Sequence, residues 1–315
     1  MRVAVIGAGP VGCYIAWKLA LRGESVALFD KRKNPYKPCS GLYSRRILHH
    51  VPLSENLIEN EIFQININFP SGKKISLVLK QPIFVVDRKK FNVFMLELAK
   101  KSGARFFCRE VKKVSERGEV FFSGGKKEKF DAIIACDGAL SAARRSLSLP
   151  EPEYFLGVLT KVNKRDFSCV CETFATEHGF FWKIPRGSKT EYGIMEKPSC
   201  ARQKFREFCK KFGVKARKIE SALIPVGPVI SPHPNIFLCG DAAGLCKPWS
   251  GGGIIWAFES ADLMLRHFPD LEKANKEVKR KFGKRLMLSR LLTKLVKKHH
   301  TLLPGRIKFD PDKVF

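Results

Sequence analysis

The sequence has no run of about 18 apolar residues, the length that a membrane-spanning helix needs, so no integral membrane segment is expected. The nearest approach is at the start, where Met1 and Arg2 precede an uncharged stretch that ends at Lys18. Three glycines and a proline interrupt that stretch, and no small-residue cleavage site follows it, so it does not read as a signal peptide. The cysteines include no CxxC pair and no His/Cys cluster at zinc-ligand spacing; Cys169 and Cys171 make only a CxC on an expected strand. No metal site is therefore expected, and the thiols read as reduced and mostly buried. Low-complexity tracts and long repeats are absent, which argues against disorder and solenoids. Carboxylates are scarce too: 30 Asp and Glu stand against 58 Lys and Arg, a formal net charge of +28.

A field of that sign attracts phosphates, whether on nucleic acid, anionic lipid or a small molecule. Part of the charge is concentrated, with 14 Lys or Arg and 4 Asp or Glu between Leu271 and Phe315. The basic residues are not interleaved with aromatics as in single-strand binders, and no nucleic-acid motif is present, so no nucleic-acid partner is expected. At 315 residues and 44% hydrophobic content the chain can bury a large core without staples.

Val3 to Ile6 is a short β-branched run that reads as a buried parallel strand. Helical spacing follows over residues 10–22 (Val11, Ile15, Leu19) and stops at Gly23, and Ser25 to Phe29 is a second strand closed by Asp30. Residues 61–80 alternate around Pro70-Ser71-Gly72, a hairpin signal. Residues 88–101 read as a helix, and strands are expected near 104–108, 111–115, 119–122 and 131–135. Residues 153–222 are strand-rich with one basic helix over 199–212. Further strand and helix character follows at 235–239 and 251–267, and a very basic helix is expected over 272–303. Alternating β and α character with an inserted sheet implies an α/β fold. The expected division is a Rossmann-type nucleotide-binding domain (1–57, 83–152 and 223–270), a β-rich substrate domain (58–82 and 153–222) and a basic helical segment (271–315).

Gly7-Ala-Gly9-Pro10-Val11-Gly12 lies between the first strand and the first helix, the place of a dinucleotide fingerprint. In that motif the first glycine permits a tight turn, the second lets a pyrophosphate approach the backbone, and the third lets helix and strand pack closely. The helix N-terminus adds free N–H groups and the positive end of the dipole. Asp30, with Lys31 beside it, is spaced to receive ribose hydroxyls. The fingerprint alone does not separate FAD from NAD.

Two later motifs do. Cys136-Asp137-Gly138-Ala-Leu-Ser141-Ala-Ala-Arg-Arg145 resembles the DG motif of para-hydroxybenzoate-hydroxylase-like (GR2-type) flavoproteins, and Cys239-Gly240-Asp241-Ala242-Ala-Gly244 resembles their second FAD motif. Arg88 matches the arginine that this superfamily places near FAD. Three further stretches resemble the geranylgeranyl reductase family: Lys37-Pro-Cys39-Ser40-Gly41, Phe180-Phe-Trp182-Lys-Ile-Pro185-Arg-Gly187, and the run from Gly240 through Pro248-Trp249 to Gly251-Gly252-Gly253-Ile254. The second departs from the family's YxWxFP segment, with Phe for Tyr and Ile for Phe. The resemblance implies FAD as cofactor, contacted by the glycine loop, Asp30, Lys31, Cys39 to Gly41, Arg88, Val111, Asp137, Gly138 and Ser141. It adds Gly240, Asp241 (to the ribityl chain), Ala242, Gly244 and Gly251 to Ile254.

It also implies reduction of isoprenoid C=C bonds, with Phe180, Trp182, Pro185 and Trp249 lining the substrate site. Phe155, Leu156, Phe167, Phe174 and Phe181 are candidates for an apolar tunnel. Gly252 and Gly253, at the start of a helix, would place N–H groups near the flavin, and Cys39 would tune it or relay a proton, with His49 and His178 as weaker donors. The implied partners are a prenyl lipid substrate and an electron donor, NAD(P)H or a ferredoxin-like protein. A monomer is expected, in the cytoplasm, with the inner face of the cell membrane as a docking surface for the Leu288, Leu291, Leu292 and Leu295 stripe. An aromatic monooxygenase or halogenase of the same superfamily is the alternative, since the halogenase WxWxIP pattern overlaps Phe180 to Pro185.

Overall fold

A computed structural model describes residues 1–312. In chain order it begins β1 (Arg2–Ile6), α1 (Pro10–Ala20), β2 (Ser25–Asp30), β3 (Leu42–Ser44), β4 (Ile58–Asn68), β5 (Lys74–Val86), α2 (Arg88–Lys101) and β6 (Arg105–Cys108). There follow β7 (Val111–Val114), β8 (Glu119–Phe122), β9 (Lys127–Lys129), β10 (Ala132–Ala135), α3 (Ala142–Ser146) and β11 (Glu153–Val162). Next come β12 (Val170–Ala175), β13 (Phe180–Pro185), β14 (Thr190–Glu196), α4 (Ala201–Lys211) and β15 (Ile219–Val226). The described chain closes with β16 (Ile236–Leu238), α5 (Ile254–His267), α6 (Leu271–His299) and β17 (Arg306–Phe309).

Two sheets carry the architecture. The first is five-stranded and wholly parallel, in the order β16-β10-β1-β2-β6. Its β1 and β10 are buried along nearly their whole length, as a strand covered on both faces requires. The chain leaves β1 toward β2 on one side and reaches β10 on the other, so the order reverses beside β1. In such sheets ligands bind outside the carboxyl ends of the strands at that reversal. The second sheet has nine strands in the order β15-β11-β14-β13-β12-β4-β5-β17, with β3 paired to β5. Strands β7 to β9 form a small separate meander.

The β4–β5 hairpin turns at Gly72, where φ is +84°. The expected alternation in β4 changes parity between Ile62 and Ile65, and a β-bulge between Ile62 and Gln64 explains this. Both isoleucines thereby join the same apolar cluster.

Two expectations change. Helix α5 begins at Ile254, not Gly251, because Gly251 takes φ +66° and the triglycine run stays outside the helix. The C-terminal segment is not wholly helical: α6 ends at His299, and β17 adds a parallel strand to β5. The last positions of that expected segment, 313–315, lie outside the described residues. No helix among the described residues is long and apolar enough to cross a membrane.

Candidate active site

Every nucleotide motif lies at the carboxyl edge of the parallel sheet. Gly7 follows β1, Asp30 ends β2, Cys136-Asp137 follows β10 and Cys239-Gly240 follows β16. The glycines of the fingerprint divide their roles. Gly7 adopts φ +97°, and a Cβ there would lie 2.3 Å from Cys136 O. A Cβ on Gly12 would lie 1.9 Å from Gly7 O, so α1 packs against the β1 turn only without a side chain. A Cβ on Gly9 would meet nothing within 4 Å: it borders open space. Gly9 is also the N-cap of α1, with no side-chain cap and Pro10 at the first turn, so the N–H groups there are left for an anion. Asp30, buried, accepts from Ala8 N at 3.1 Å and from Arg32 N at 2.9 Å, which fixes its carboxylate against the loop.

The other wall is built from the 37–41 loop, α2 and the turn after β16. Gly41, at φ +68°, lets the loop close on β5: its Cβ would be 2.3 Å from Val86 O, and Val86 N donates to Gly41 O at 2.9 Å. Asp87 caps α2 by accepting from Lys89 N and Lys90 N. That places Arg88 in the first turn with its guanidinium buried beside Tyr43 and Cys39. Arg88 Nη2 donates to Asn92 at 3.3 Å, while Arg88 Nε and Tyr43 Oη are buried without partners among the described residues. Cys39 Sγ accepts from Gly41 N at 3.5 Å.

Asp241 is paired with Lys37 and accepts from Cys246 Sγ at 3.4 Å. Burial pushes its carboxyl up, but the charge and hydrogen bond of Lys37, with Cys246 and Arg88, outweigh this and hold it below the usual carboxylate range. Burial, with Asp241 next, pushes the Cys246 thiol well up. The triglycine run completes this wall. A Cβ on Gly251 would be 2.8 Å from Met195 Sδ, and one on Gly253 would be 2.9 Å from Cys246 Sγ. Gly253 caps α5 without a side chain, as Gly9 caps α1.

An open cradle at Gly9, two uncapped helix N-termini, a carboxylate on each motif and unpartnered polar atoms at Arg88 and Tyr43 together fit FAD. The glycine loop and Asp30 would hold its adenosine diphosphate part, and Asp241 its ribityl chain. The remaining expected contacts are spread differently. Asp137 Oδ2 accepts from Ala143 N at 3.1 Å, and burial pushes its carboxyl up. Ser141 spends its hydroxyl capping α3, accepting from Arg144 N at 2.9 Å. Val111 packs in the core of the first sheet, and Lys31 reaches Glu110 at 4.0 Å. Gly244, at φ +67°, lets its turn close on Gly227.

The aromatic candidates separate by sheet face. Phe155 and Trp182 join the apolar cluster that holds Met195 and Cys246, with Phe180 against it. Trp182 Nε1 donates to Glu191 at 3.0 Å, and its indole lies where a Cβ on Gly193 would be, 2.2 Å away. Leu156, Phe174 and Phe181 do not line this layer. They pack on the opposite face under α4, where Phe181 stacks on Phe208 with ring centroids 4.2 Å apart. Phe167 is 71% exposed and belongs to no tunnel. Pro185 is buried at the end of β13, and Trp249 is 37% exposed beside Lys247. His49 and His178 are exposed, so neither is held inside the site.

Two functional arginines were not singled out from the sequence. Arg144, fully buried, donates to Ala242 O at 2.9 Å, to Ala139 O at 2.7 Å and to Glu151, tying the DG loop to the Asp241 turn. Arg186, 2% exposed, donates to Ser40 O at 2.6 Å, Val86 O at 3.0 Å and Glu191 at 3.1 Å, and pairs with Glu59. It fastens the end of β13 to the Cys39 loop. Its place directly after Pro185 was the signal available.

A family model described as "Tryptophan halogenase" matches residues 80–301, and one described as "FAD dependent oxidoreductase" matches residues 2–78. The geranylgeranyl diphosphate reductase of Rhodobacter capsulatus is 26% identical over 80% of this chain and 71% of its own. The digeranylgeranylglycerophospholipid reductase of Methanococcus vannielii is 24% identical over 98% of this chain and 85% of its own. The crystal structure of a geranylgeranyl bacteriochlorophyll reductase-like protein from Thermoplasma acidophilum superposes with TM-score 0.81 at 22% identity, covering 96% of this chain and 88% of that one.

Proposed function

We propose, because this chain belongs to the tryptophan halogenase family of FAD-dependent oxidoreductases and stands within it among the geranylgeranyl reductases, that it saturates isoprenoid C=C bonds of geranylgeranyl lipids of the archaeal ether type. The observation that carries this reading is the triglycine loop. A side chain at Gly251 would run into Met195 of the aromatic layer and one at Gly253 into Cys246 beside Asp241, so the apolar layer and the cofactor carboxylate meet at one turn.

Bound FAD, once reduced, supplies the hydride for such a reaction. The chain's own part is placement and exclusion of water. Phe155, Phe180, Trp182 and Met195 offer an apolar wall for a prenyl chain, where orientation provides most of the rate gain for an unactivated alkene. The free N–H groups at the start of α5 favour negative charge beside the loop. Cys39, next to Arg88, is the candidate to hold the transferred proton. Arg186 positions that cysteine's loop through Ser40 O. The electron donor on this reading is NAD(P)H or a ferredoxin-like protein, the latter suited by the net charge of +28. The enzyme would act as a monomer in the cytoplasm.

The second reading, an aromatic monooxygenase or halogenase, is favoured by the breadth of the halogenase match over residues 80–301. Mass spectrometry of geranylgeranyl lipid after anaerobic incubation with dithionite-reduced protein separates the two. Saturation adds the mass of one hydrogen molecule per bond. Unchanged lipid together with oxygen-dependent NAD(P)H consumption and a hydroxylated or halogenated aromatic would replace the first reading with the second.

A further inference from the structure

Helix α6 has two apolar faces where a surface helix ordinarily has one. Leu271, Ala274, Val278, Phe282 and Leu286 are buried against the body of the protein. At 100° per residue, Met287, Leu288, Leu291 and Leu295 fall on the opposite side. There Met287 is 71%, Leu291 53% and Leu295 45% exposed. A groove of about 350 Å³ runs through this face between Gly283, Leu286, Met287, Arg290, Leu291 and Lys294. Its floor, Leu286, belongs to the same apolar cluster as Phe155, Trp182, Met195 and Cys246.

The charge that α6 itself brings to the stripe is of one sign, and the one carboxylate among the described residues that reaches the groove lining from another element, Glu153 of β11, is paired with Arg290 at 3.1 Å. From Lys279 to Lys298 there are nine Lys or Arg and no Asp or Glu. The two glutamates of α6, Glu272 and Glu277, lie in its first turns and are engaged by Lys276 and His267. Lys284, Lys294 and Lys298, which border the stripe, form no ion pair among the described residues.

We propose that this outward face of α6, from Lys284 to Lys298, docks on the surface of an anionic lipid bilayer. The leucines and Met287 enter the boundary between headgroups and acyl chains, while the flanking lysines meet lipid phosphates. A bilayer answers both features together, since its apolar layer lies directly beneath a sheet of negative charge. The inference goes beyond the proposed activity and does not require it. With that activity, the groove becomes the way by which a prenyl chain passes from the bilayer toward the aromatic layer.

The test is co-sedimentation of the full FAD-loaded chain with vesicles of phosphatidylcholine alone or mixed with phosphatidylglycerol. Binding is expected on the mixed vesicles, weakening as salt rises. The double substitution Leu291→Glu and Leu295→Glu should weaken it by at least about tenfold, since it places two carboxylates where apolar side chains meet anionic lipid. Because both leucines are exposed, the variant should keep the flavin absorbance and melting temperature of the parent, which shows that it is folded. Failure of the parent chain to bind mixed vesicles would overturn the proposal, as would unchanged binding by the double variant. So would a dimer in solution that the double substitution dissociates while vesicle binding is unaffected; the stripe would then belong to a second copy. Vesicle binding without saturation of any prenyl lipid would strike the proposed activity alone. Saturation of detergent-dispersed lipid without vesicle binding would strike the docking surface alone.

Discussion

A Cβ on Gly12 would lie 1.9 Å from a backbone oxygen, whereas one on Gly9, three positions earlier, would point into open space. The two glycines therefore separate folding from binding. Gly9→Val should melt within a few degrees of the parent yet take up no FAD. Gly12→Val should lose about 3 kcal/mol or more, because backbone cannot yield as a flexible side chain can; thermal melts and flavin absorbance check both. Arg186 is the second residue with a sharp expectation. In Arg186→Met the fully buried Glu191 loses its nearer charged partner and keeps only Lys161 at 3.9 Å, while Ser40 O and Val86 O each lose the guanidinium donor. Denaturant unfolding should show a loss of about 3 kcal/mol. Glu151 gives a pH dependence. Burial pushes its carboxyl up, but Tyr154, Arg145 and Arg144 outweigh this and bring it down to about 2. A depressed carboxylate stabilises the fold above its ordinary value near 4.5 and loses that contribution as pH falls toward 2. Melting temperatures should fall across that window in the parent and more shallowly in Glu151→Gln.

At the scale of elements, β13 shows what the sequence tells and what it withholds. Successive side chains on a strand point to opposite faces, so Phe180 and Trp182 share one face and Phe181 takes the other. Alternation says which residues go together. It does not say which face meets the cofactor, because that is decided by where α4 packs, some twenty residues later. Phe181, Phe174 and Leu156 were thus candidates for the wrong layer. Phe181→Ala should cost about 3–5 kcal/mol in denaturant unfolding through the cavity left under α4, with flavin loading unchanged. Phe180→Ala, on a half-buried side chain, should cost less stability and slow lipid reduction instead. The βαβ unit and the hairpin at Gly72 were readable because their signals are local: a glycine turn, an apolar run and a cap. β17 was not, since its only reason to be a strand is β5, more than two hundred residues earlier.

At the scale of the whole molecule, three motifs spread over about 240 residues come together because one parallel sheet lines up the carboxyl ends of β1, β2, β10 and β16. Their order in the chain was legible. Two buried arginines then fasten the loops around them, through backbone oxygens that no sequence pattern marks. Arg144 joins two loops of the nucleotide domain, and Arg186 joins that domain to the second sheet, so the aromatic layer is held against the triglycine turn.

The measurement that bears most directly on this arrangement is the absorbance of the FAD-loaded, chemically reduced protein on anaerobic mixing with geranylgeranyl lipid. The oxidised flavin band should return in step with saturation of the lipid, and it should fail to return with the fully saturated lipid. A reduced flavin that persists beside the unsaturated lipid, and is oxidised only when air is admitted, would contradict the account.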